Sequence, residues 1–440
     1  MKKICQTKGL HEGYTSSIEH YNSIKDESKI LDFESWREIR QLYPLEESIV
    51  YLNSGTEGSM SKQVLKQYQD YLEKWASSPS YYFAFDKIMQ DWQKINRAKI
   101  ANFISTKEDN ICLTGNTTMG IGMTLIGLNF NDGDEVIVSL DAYPSLISTL
   151  NFCCQNIKLK YKMIPLPTSI KSKEEIIGAV ISAITNKTKA ICLPHVTYTT
   201  GLQLPVKEIC ELAQEKNAIS LIDGAQAIGV IPLNIEDMGC DFYAAPGHKW
   251  INGPPGTGIL YIRNANENKY NLKPILSELY GYKPSRSITD MLQIRGCNNT
   301  PGFTALTGAI HLNESIGKEK IYTRILKLSN YLKEKIIEQW GDVALLSPYG
   351  NGEKDLCSGI TTFVPSKDFN KRYDKEFVTE MASRLIDDYK IWIRYVNFID
   401  DPSVTKSNTW GLRVSTNLFN NYSEIDKLIN TLINLTSRYE

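Results

Sequence analysis

Between Asn110 and Arg263, short β-rich apolar runs alternate with stretches of helical length. That rhythm restricts the fold more than any other feature of the chain. Asn110–Leu113, Glu135–Ser139, Lys158–Ile164, Lys189–Leu193, Ile219–Ile222 and Gly258–Ile262 read as strands. Thr117–Leu128, Ser172–Ile184 and Pro205–Glu215 read as helices, the second with Ser172 and Glu175 at capping-box spacing and the third opened by proline. Strands that are apolar throughout must be covered on both faces, so the pattern predicts an α/β fold around a mostly parallel sheet. Ligands of such sheets bind beyond the carboxyl ends of the strands.

The flanks differ. Residues 1–45 are polar and weakly patterned and read as an N-terminal arm. Ser61–Ser77 carries Val64, Tyr68, Leu72 and Trp75 at helical spacing. Ser315–Gln339 reads as one long helix, and Gly359–Val364 and Ile391–Tyr395 as strands. Ile425, Leu428, Ile429, Leu432 and Ile433 form an amphipathic stripe behind a Ser423–Asp426 cap. A chain of 440 residues exceeds one ordinary core. The expected division is a large domain over 46–310 and a smaller α+β C-terminal domain over 311–440.

Charge and composition exclude several classes. Lys+Arg 49 against Asp+Glu 50 leaves a net charge of -1, with no basic excess for nucleic acid. No apolar run approaches the roughly 20 residues of a membrane span, and the two N-terminal lysines precede no secretory apolar segment. Nine cysteines without a CxxC spacing suit neither a zinc site nor a disulfide scaffold. Cys112, Cys192 and Cys210 sit in apolar segments and read as core residues. A cytoplasmic setting is expected.

Gly253-Pro-Pro-Gly-Thr-Gly258 imitates a phosphate loop, but Ile259 and Leu260 stand where Lys and Ser/Thr are required. The informative stretch is Leu221–Arg263. Asp223 closes an apolar strand, and His248-Lys249 follows another β-rich run. A carboxylate and a lysine at the same sheet edge suit pyridoxal 5′-phosphate (PLP). That cofactor needs an amine for its Schiff base and an anion beside its ring nitrogen. For this stretch alone, a strand-end Asp and a surface Lys is the plainer alternative. Asn116, Thr117 and Thr118 open a helix after a strand, where amides and hydroxyls form either an anion site or a simple cap. Tyr143 follows the next strand and is placed to cover a planar ring, or to be a loop aromatic.

At this point the sequence resembles the class V aminotransferase family of fold-type I PLP enzymes, which includes cysteine desulfurases, kynureninase and isopenicillin N epimerase-like proteins. The resemblance runs from Tyr51-Leu-Asn53-Ser-Gly55 to Gly411-Leu-Arg413-Val-Ser, with DGAQ…D…GHKW..GP.G.G.LY as its strongest segment. It implies that Lys249 forms the Schiff base, Asp223 pairs with the pyridine nitrogen and Gln226 meets the phenolic oxygen. Thr117, Thr118 and His248, with Asn116, would hold the phosphate, and Tyr143 would stack on the ring. His195, in a segment resembling the family's turn beside the cofactor, is a candidate catalytic residue or a structural histidine. Arg413 would grip the substrate α-carboxylate, with Asn53 on the same side. A homodimer is implied, with Thr300 or Asn299 of a second copy replacing the family's usual phosphate contact.

Two departures bear on the reaction. Pro246 replaces the serine that desulfurases carry before Gly-His-Lys. No cysteine lies between Tyr389 and Trp410, and Cys357 comes too early for a desulfurase nucleophile loop. The resemblance therefore implies transamination or epimerisation of a small amino-acid substrate, with PLP-dependent β-elimination, including C–S cleavage, as the alternative. A non-catalytic protein on this fold is a third, weaker reading. Tyr81, Tyr82 and Trp410 are candidate pocket residues.

Overall fold

The structure, a computed structural model, describes residues 36–77, 86–277, 287–350, 356–402 and 407–437. The first sheet element, β1 (Val50–Tyr51), belongs with the C-terminal part of the chain. The next seven strands form one sheet: β2 (Ile111–Thr114), β3 (Glu135–Ser139), β4 (Lys160–Ile164), β5 (Thr188–Pro194), β6 (Ile219–Asp223), β7 (Phe242–Pro246) and β8 (Gly258–Ile262). Their order is β2-β8-β7-β6-β5-β3-β4. Only β8 runs antiparallel to its neighbours, so the expected mostly parallel sheet is present.

Edge strand β2 and the inner strands β7 and β8 are buried at every position. This explains their continuous apolar runs, because helices cover both faces. One face packs Ile137, Ile191, Ile222 and Tyr243. The other packs Cys112, Val138, Cys192, Leu221 and Phe242. Cys210 is also buried, on the helix Val206–Glu215. Edge strand β4 exposes Lys160 and Lys162, charges that discourage edge pairing.

A second, three-stranded antiparallel sheet has the order β11-β12-β9, from β9 (Ile360–Phe363), β11 (Arg394–Phe398) and β12 (Thr409–Ser415). β10 (Ile391–Trp392) pairs in parallel with β1. Val50 and Leu52 therefore sit in an apolar core with Leu328, Phe363 and Leu412.

Several local expectations are corrected. The long helix expected over Ser315–Gln339 is two helices, Thr300–Ile316 and Lys318–Trp340. Gly317 at φ 101° separates them, a backbone conformation that favours glycine. The C-terminal helix runs Tyr422–Thr436, and its capping box is Asn421 with Glu424 rather than Ser423 with Asp426. At the helix Lys173–Ala183, the Ser172 side chain accepts from the Glu175 amide, but Glu175 turns to the Lys171 amide, so only half a box forms. The strand expected over Ile391–Tyr395 is broken into β10 and β11. Tyr81 and Tyr82 lie outside the described residues, as does most of the 1–45 arm.

Candidate active site

The carboxyl ends of β2, β3, β5, β6 and β7 converge on one edge of the large sheet. A cavity of about 310 Å³ opens there. Its wall includes Thr117 and Thr118 beyond β2, Tyr143 beyond β3, Asp223 at the end of β6, and His248 and Lys249 beyond β7. Gln226 and Asn116 also line it. Parallel strands separated by helices thus bring residues far apart in sequence to one place.

Lys249 lies inside this cavity, its Nζ 6.0 Å from the Tyr143 ring centroid. Burial pulls its amine down to about 8. Arg413 and Arg394 push in the same direction, and Asp223 opposes them. At that value roughly one amine in ten is unprotonated at pH 7. Asp223 Oδ1 accepts from the Ala225 amide at 2.9 Å. Burial raises the Asp223 carboxyl, while that amide and the Lys249 charge lower it.

The loop carrying Lys249 is held from the opposite side by the segment after β1. The Gly58 amide donates to the His248 carbonyl at 2.7 Å. A Cβ on Gly58 would lie 1.8 Å from the Lys249 carbonyl oxygen, so only glycine permits this approach. Gln226 donates from Nε2 to the Gly55 carbonyl and accepts at Oε1 from Trp250, both at 2.9 Å. The second Nε2 hydrogen remains available to the cavity.

At the other end of the cavity begins the helix Thr117–Gly127. Asn116 spends its side chain on the cap, accepting from the Met119 amide at 2.9 Å. Thr118 pairs with Ser145 at 2.9 Å. Thr117 Oγ1 is buried without a hydrogen-bond partner, and His248 Nδ1 makes no well-formed bond either, although its ring lies by the Thr257 carbonyl. Unmade hydrogen bonds of this kind cost about 1–3 kcal/mol each. An anion at the helix N-terminus satisfies the hydroxyl and meets the favourable end of the dipole. These residues fit the phosphate, ring and aldehyde of PLP.

Arg413, on β12, stands behind Thr56 and Tyr198, which line the cavity. Its guanidinium donates to the Tyr198 carbonyl at 3.0 Å, to Thr56 Oγ1 at 2.8 Å and to Asn53 Oδ1 at 3.3 Å. All three acceptors are neutral, and its Nε is buried without a partner. Burial, then the Arg394 charge, lowers it to about 10. Asn53 therefore orients Arg413 and is not part of the cavity wall.

Two further expected site residues are not brought to the cavity. His195 is buried behind Asp223, its amide on the Asp223 carbonyl at 2.8 Å and its Nδ1 3.2 Å from the Tyr243 hydroxyl. That placement, outside the cavity wall, fits the structural alternative that the sequence left open for it. Thr300 is buried at the start of Thr300–Ile316, away from this chain's cavity, and Asn299 spends its side chain on that helix's cap. Trp410 does not line the cavity either; it meets Tyr395 at 6.2 Å.

The buried imidazole has a consequence for folding. Burial pushes the His195 ring down to about 4, against its ordinary 6.5. The unfolded chain binds the extra proton across that window, so stability falls as pH drops from 6.5 towards 4. The loss is about 3 kcal/mol at most. In urea denaturation between pH 4.5 and 7, His195→Gln is expected to flatten this slope. An unchanged slope contradicts the buried neutral ring.

Sequence reading missed Thr56, Tyr198 and Asp141. Asp141 is the most legible in retrospect, a carboxylate just past β3 as Asp223 is at the end of β6. It lines the cavity, accepts from the Thr199 hydroxyl, and burial raises its carboxyl. Thr56 and Tyr198 carry no local signal, since their roles depend on Arg413 arriving from β12. Among the described residues no helix is long and apolar enough to cross a membrane, and no cluster suited to a metal ion occurs.

Comparison with known proteins agrees with this geometry. The aminotransferase class-V family model matches residues 50–428. The isopenicillin N epimerase of Amycolatopsis lactamdurans is 23% identical over 419 residues, covering 91% of this chain and 99% of the relative. The hercynylcysteine sulfoxide lyase of Schizosaccharomyces pombe is 27% identical over 318 residues, covering 71% and 80%. Among solved structures, the cystine C-S lyase C-DES superposes with a TM-score of 0.74 at 22% identity, over 88% of this chain and 97% of that one. The cysteine desulfurase CsdA of Escherichia coli gives 0.75 at 19%, over 93% and 100%. These similarities carry the α/β fold of PLP-dependent enzymes, and the family match extends across both sheets and the cavity residues. The chain belongs to the aminotransferase class-V family of PLP-dependent enzymes.

Proposed function

We propose that this enzyme acts on the α-amino group and α-carbon of an amino acid, by transamination or epimerisation, with PLP anchored on Lys249. The observation that carries the reading is the placement of a Lys249 amine lowered to about 8 in one cavity with Asp223, backed by the neutral-bonded Arg413. When bound, PLP supplies an electron sink for the α-carbon. Thr117, Thr118, His248 and the helix N-terminus hold its phosphate, Gln226 its phenolic oxygen and Asp223 its ring nitrogen. Tyr143 covers the ring, supported edge-on by Tyr198 at 5.2 Å. Arg413 holds the α-carboxylate, offering its unpartnered Nε and the remaining guanidinium hydrogens. Lys249 Nζ moves the α-proton, for which a value near the working pH is suited.

With PLP bound, delivery of that proton by Lys249 to the cofactor would give transamination, and protonation of the α-carbon by a second donor on the face opposite Lys249 would give epimerisation. No cysteine lines the cavity among the described residues, and Cys357 is buried with its thiol on the Pro348 carbonyl. A persulfide-forming desulfurase is therefore disfavoured. Loss of a β-substituent is the second reading, favoured by the similarity to a sulfoxide lyase. Incubation with an amino-acid panel tests the choice. A 2-oxo acid or an inverted α-carbon supports the first reading, and pyruvate with ammonia supports the second.

Arg413→Lys is expected to raise KM by about 10- to 100-fold with little change in kcat, since one charged bidentate contact is lost. A wild-type KM contradicts the assignment. The remaining parts of the reading are a cytoplasmic homodimer, in which Thr300 or Asn299 of a second copy reaches the phosphate, and a division at about residue 310. Separate apolar cores support that division, with Val50 and Leu52 crossing into the C-terminal one.

A further inference from the structure

We infer that Arg394 forms a second anion subsite beside Arg413, so that the substrate is an amino acid carrying another acidic group on its side chain. The inference rests on the function proposed above, in which Arg413 takes the α-carboxylate.

The register places Arg394 on β11 directly opposite Arg413 on β12. Cross-strand partners project from the same face of a sheet, with Cβ atoms roughly 5 Å apart. Like charges so placed repel each other and weaken the sheet. Both guanidiniums are nevertheless left without a carboxylate among the described residues. Arg413 bonds only to Asn53, Thr56 and the Tyr198 carbonyl. Arg394 makes no hydrogen bond or ion pair with any described residue, and its side chain is exposed.

The two arginines are not equivalent. Arg413 is buried and fixed by three acceptors, which suits a group present in every amino acid. Arg394 stands out towards solvent on the same face, which suits a group whose distance from the α-carbon varies. Its charge is close enough to act on Lys249, Arg413 and the Tyr198 hydroxyl. Among the described residues no carboxylate pairs with either guanidinium, although Glu57, Asp141 and Asp223 line the cavity. A side-chain carboxylate, or a sulfonate or phosphonate of similar reach, supplies the missing anion and relieves the Arg394–Arg413 repulsion.

A plainer role for Arg394 is to share the α-carboxylate with Arg413, and the experiment separates the two. The PLP-loaded enzyme is titrated calorimetrically with L-amino acids whose terminal carboxylate lies one to four methylene groups beyond the α-carbon. Each is compared with its uncharged ω-amide. At one or more lengths the acid is expected to bind about 10-fold or more tightly than the amide, as a charge-assisted contact provides. The preference is expected to shrink as salt is raised, because the subsite is exposed. Arg394→Gln is expected to erase the preference while leaving amide affinities within about 2-fold. No acid preference at any length overturns the inference, as does a preference that survives Arg394→Gln. Equal weakening of acid and amide by Arg394→Gln also overturns it, and assigns Arg394 to the α-carboxylate. A loaded enzyme that binds amides and shows no acid preference fails only this inference. A protein that takes up no PLP, or binds no amino acid, fails the proposed function itself.

Discussion

Lys249→Ala is expected to lower kcat/KM by at least about 10³-fold, the scale of a positioned proton carrier, while the folded protein still takes up PLP. The variant loses two things together. It loses the amine that joins the cofactor to the chain and the base that serves the α-carbon. The phosphate contacts proposed for Thr117, Thr118 and His248 would not pass through Lys249, so cofactor binding is expected to weaken without vanishing. Absorption spectroscopy with added PLP separates these effects, since the lysine-linked chromophore disappears and the free-aldehyde form replaces it. Retention of wild-type turnover contradicts the role. The amine itself is testable in the apoprotein by competitive labelling with trace acetic anhydride across pH. Lys249 is expected to titrate near 8, well below exposed lysines at about 10.4.

Asp223→Asn is expected to cost about 10²- to 10³-fold in kcat, the scale of removing one preorganised charge from a dry site. The substitution is nearly isosteric, and its side-chain oxygen still accepts from the Ala225 amide, so the fold is expected to survive. What disappears is the negative charge that, in the proposed function, would keep the cofactor ring nitrogen protonated. The same charge raises the Lys249 amine. Its removal therefore shifts the Lys249 labelling midpoint further below 8, and the fraction of free amine at neutral pH rises. The variant thus has a more available base and a slower reaction, a combination that loss of folding does not produce. A kcat within a few-fold of wild type shows that the ring nitrogen is not served by Asp223.

The α/β framework was legible because buried parallel strands leave an unbroken apolar signature. β3 and β8 end where the sequence places them, and β6 gains only Asp223. Gly317 hid the break between two helices, because one glycine inside an apolar period resembles an ordinary helical residue until its φ of 101° is known. Lys249, Asp223 and Tyr143 were legible because each lies at or shortly after the end of a strand that points to the ligand edge. His195 shares that position yet turns under the sheet to Tyr243, a choice made by packing rather than by any local pattern. Thr56 and Asn53 owe their roles to Arg413, which arrives from more than 350 positions away in sequence (separations of 357 and 360). No local reading contains such a contact. The Gly58 approach to Lys249 is equally non-local, and only the folded geometry reveals why that position excludes a side chain.

The most direct measurement is borohydride reduction of the PLP-loaded protein followed by peptide mass mapping. A single stable pyridoxyl adduct on the peptide containing Lys249 is the expected result, with loss of the adduct in Lys249→Ala. An adduct on another lysine, or none in a protein incubated with excess PLP, contradicts the assignment of Lys249 as the cofactor's anchor.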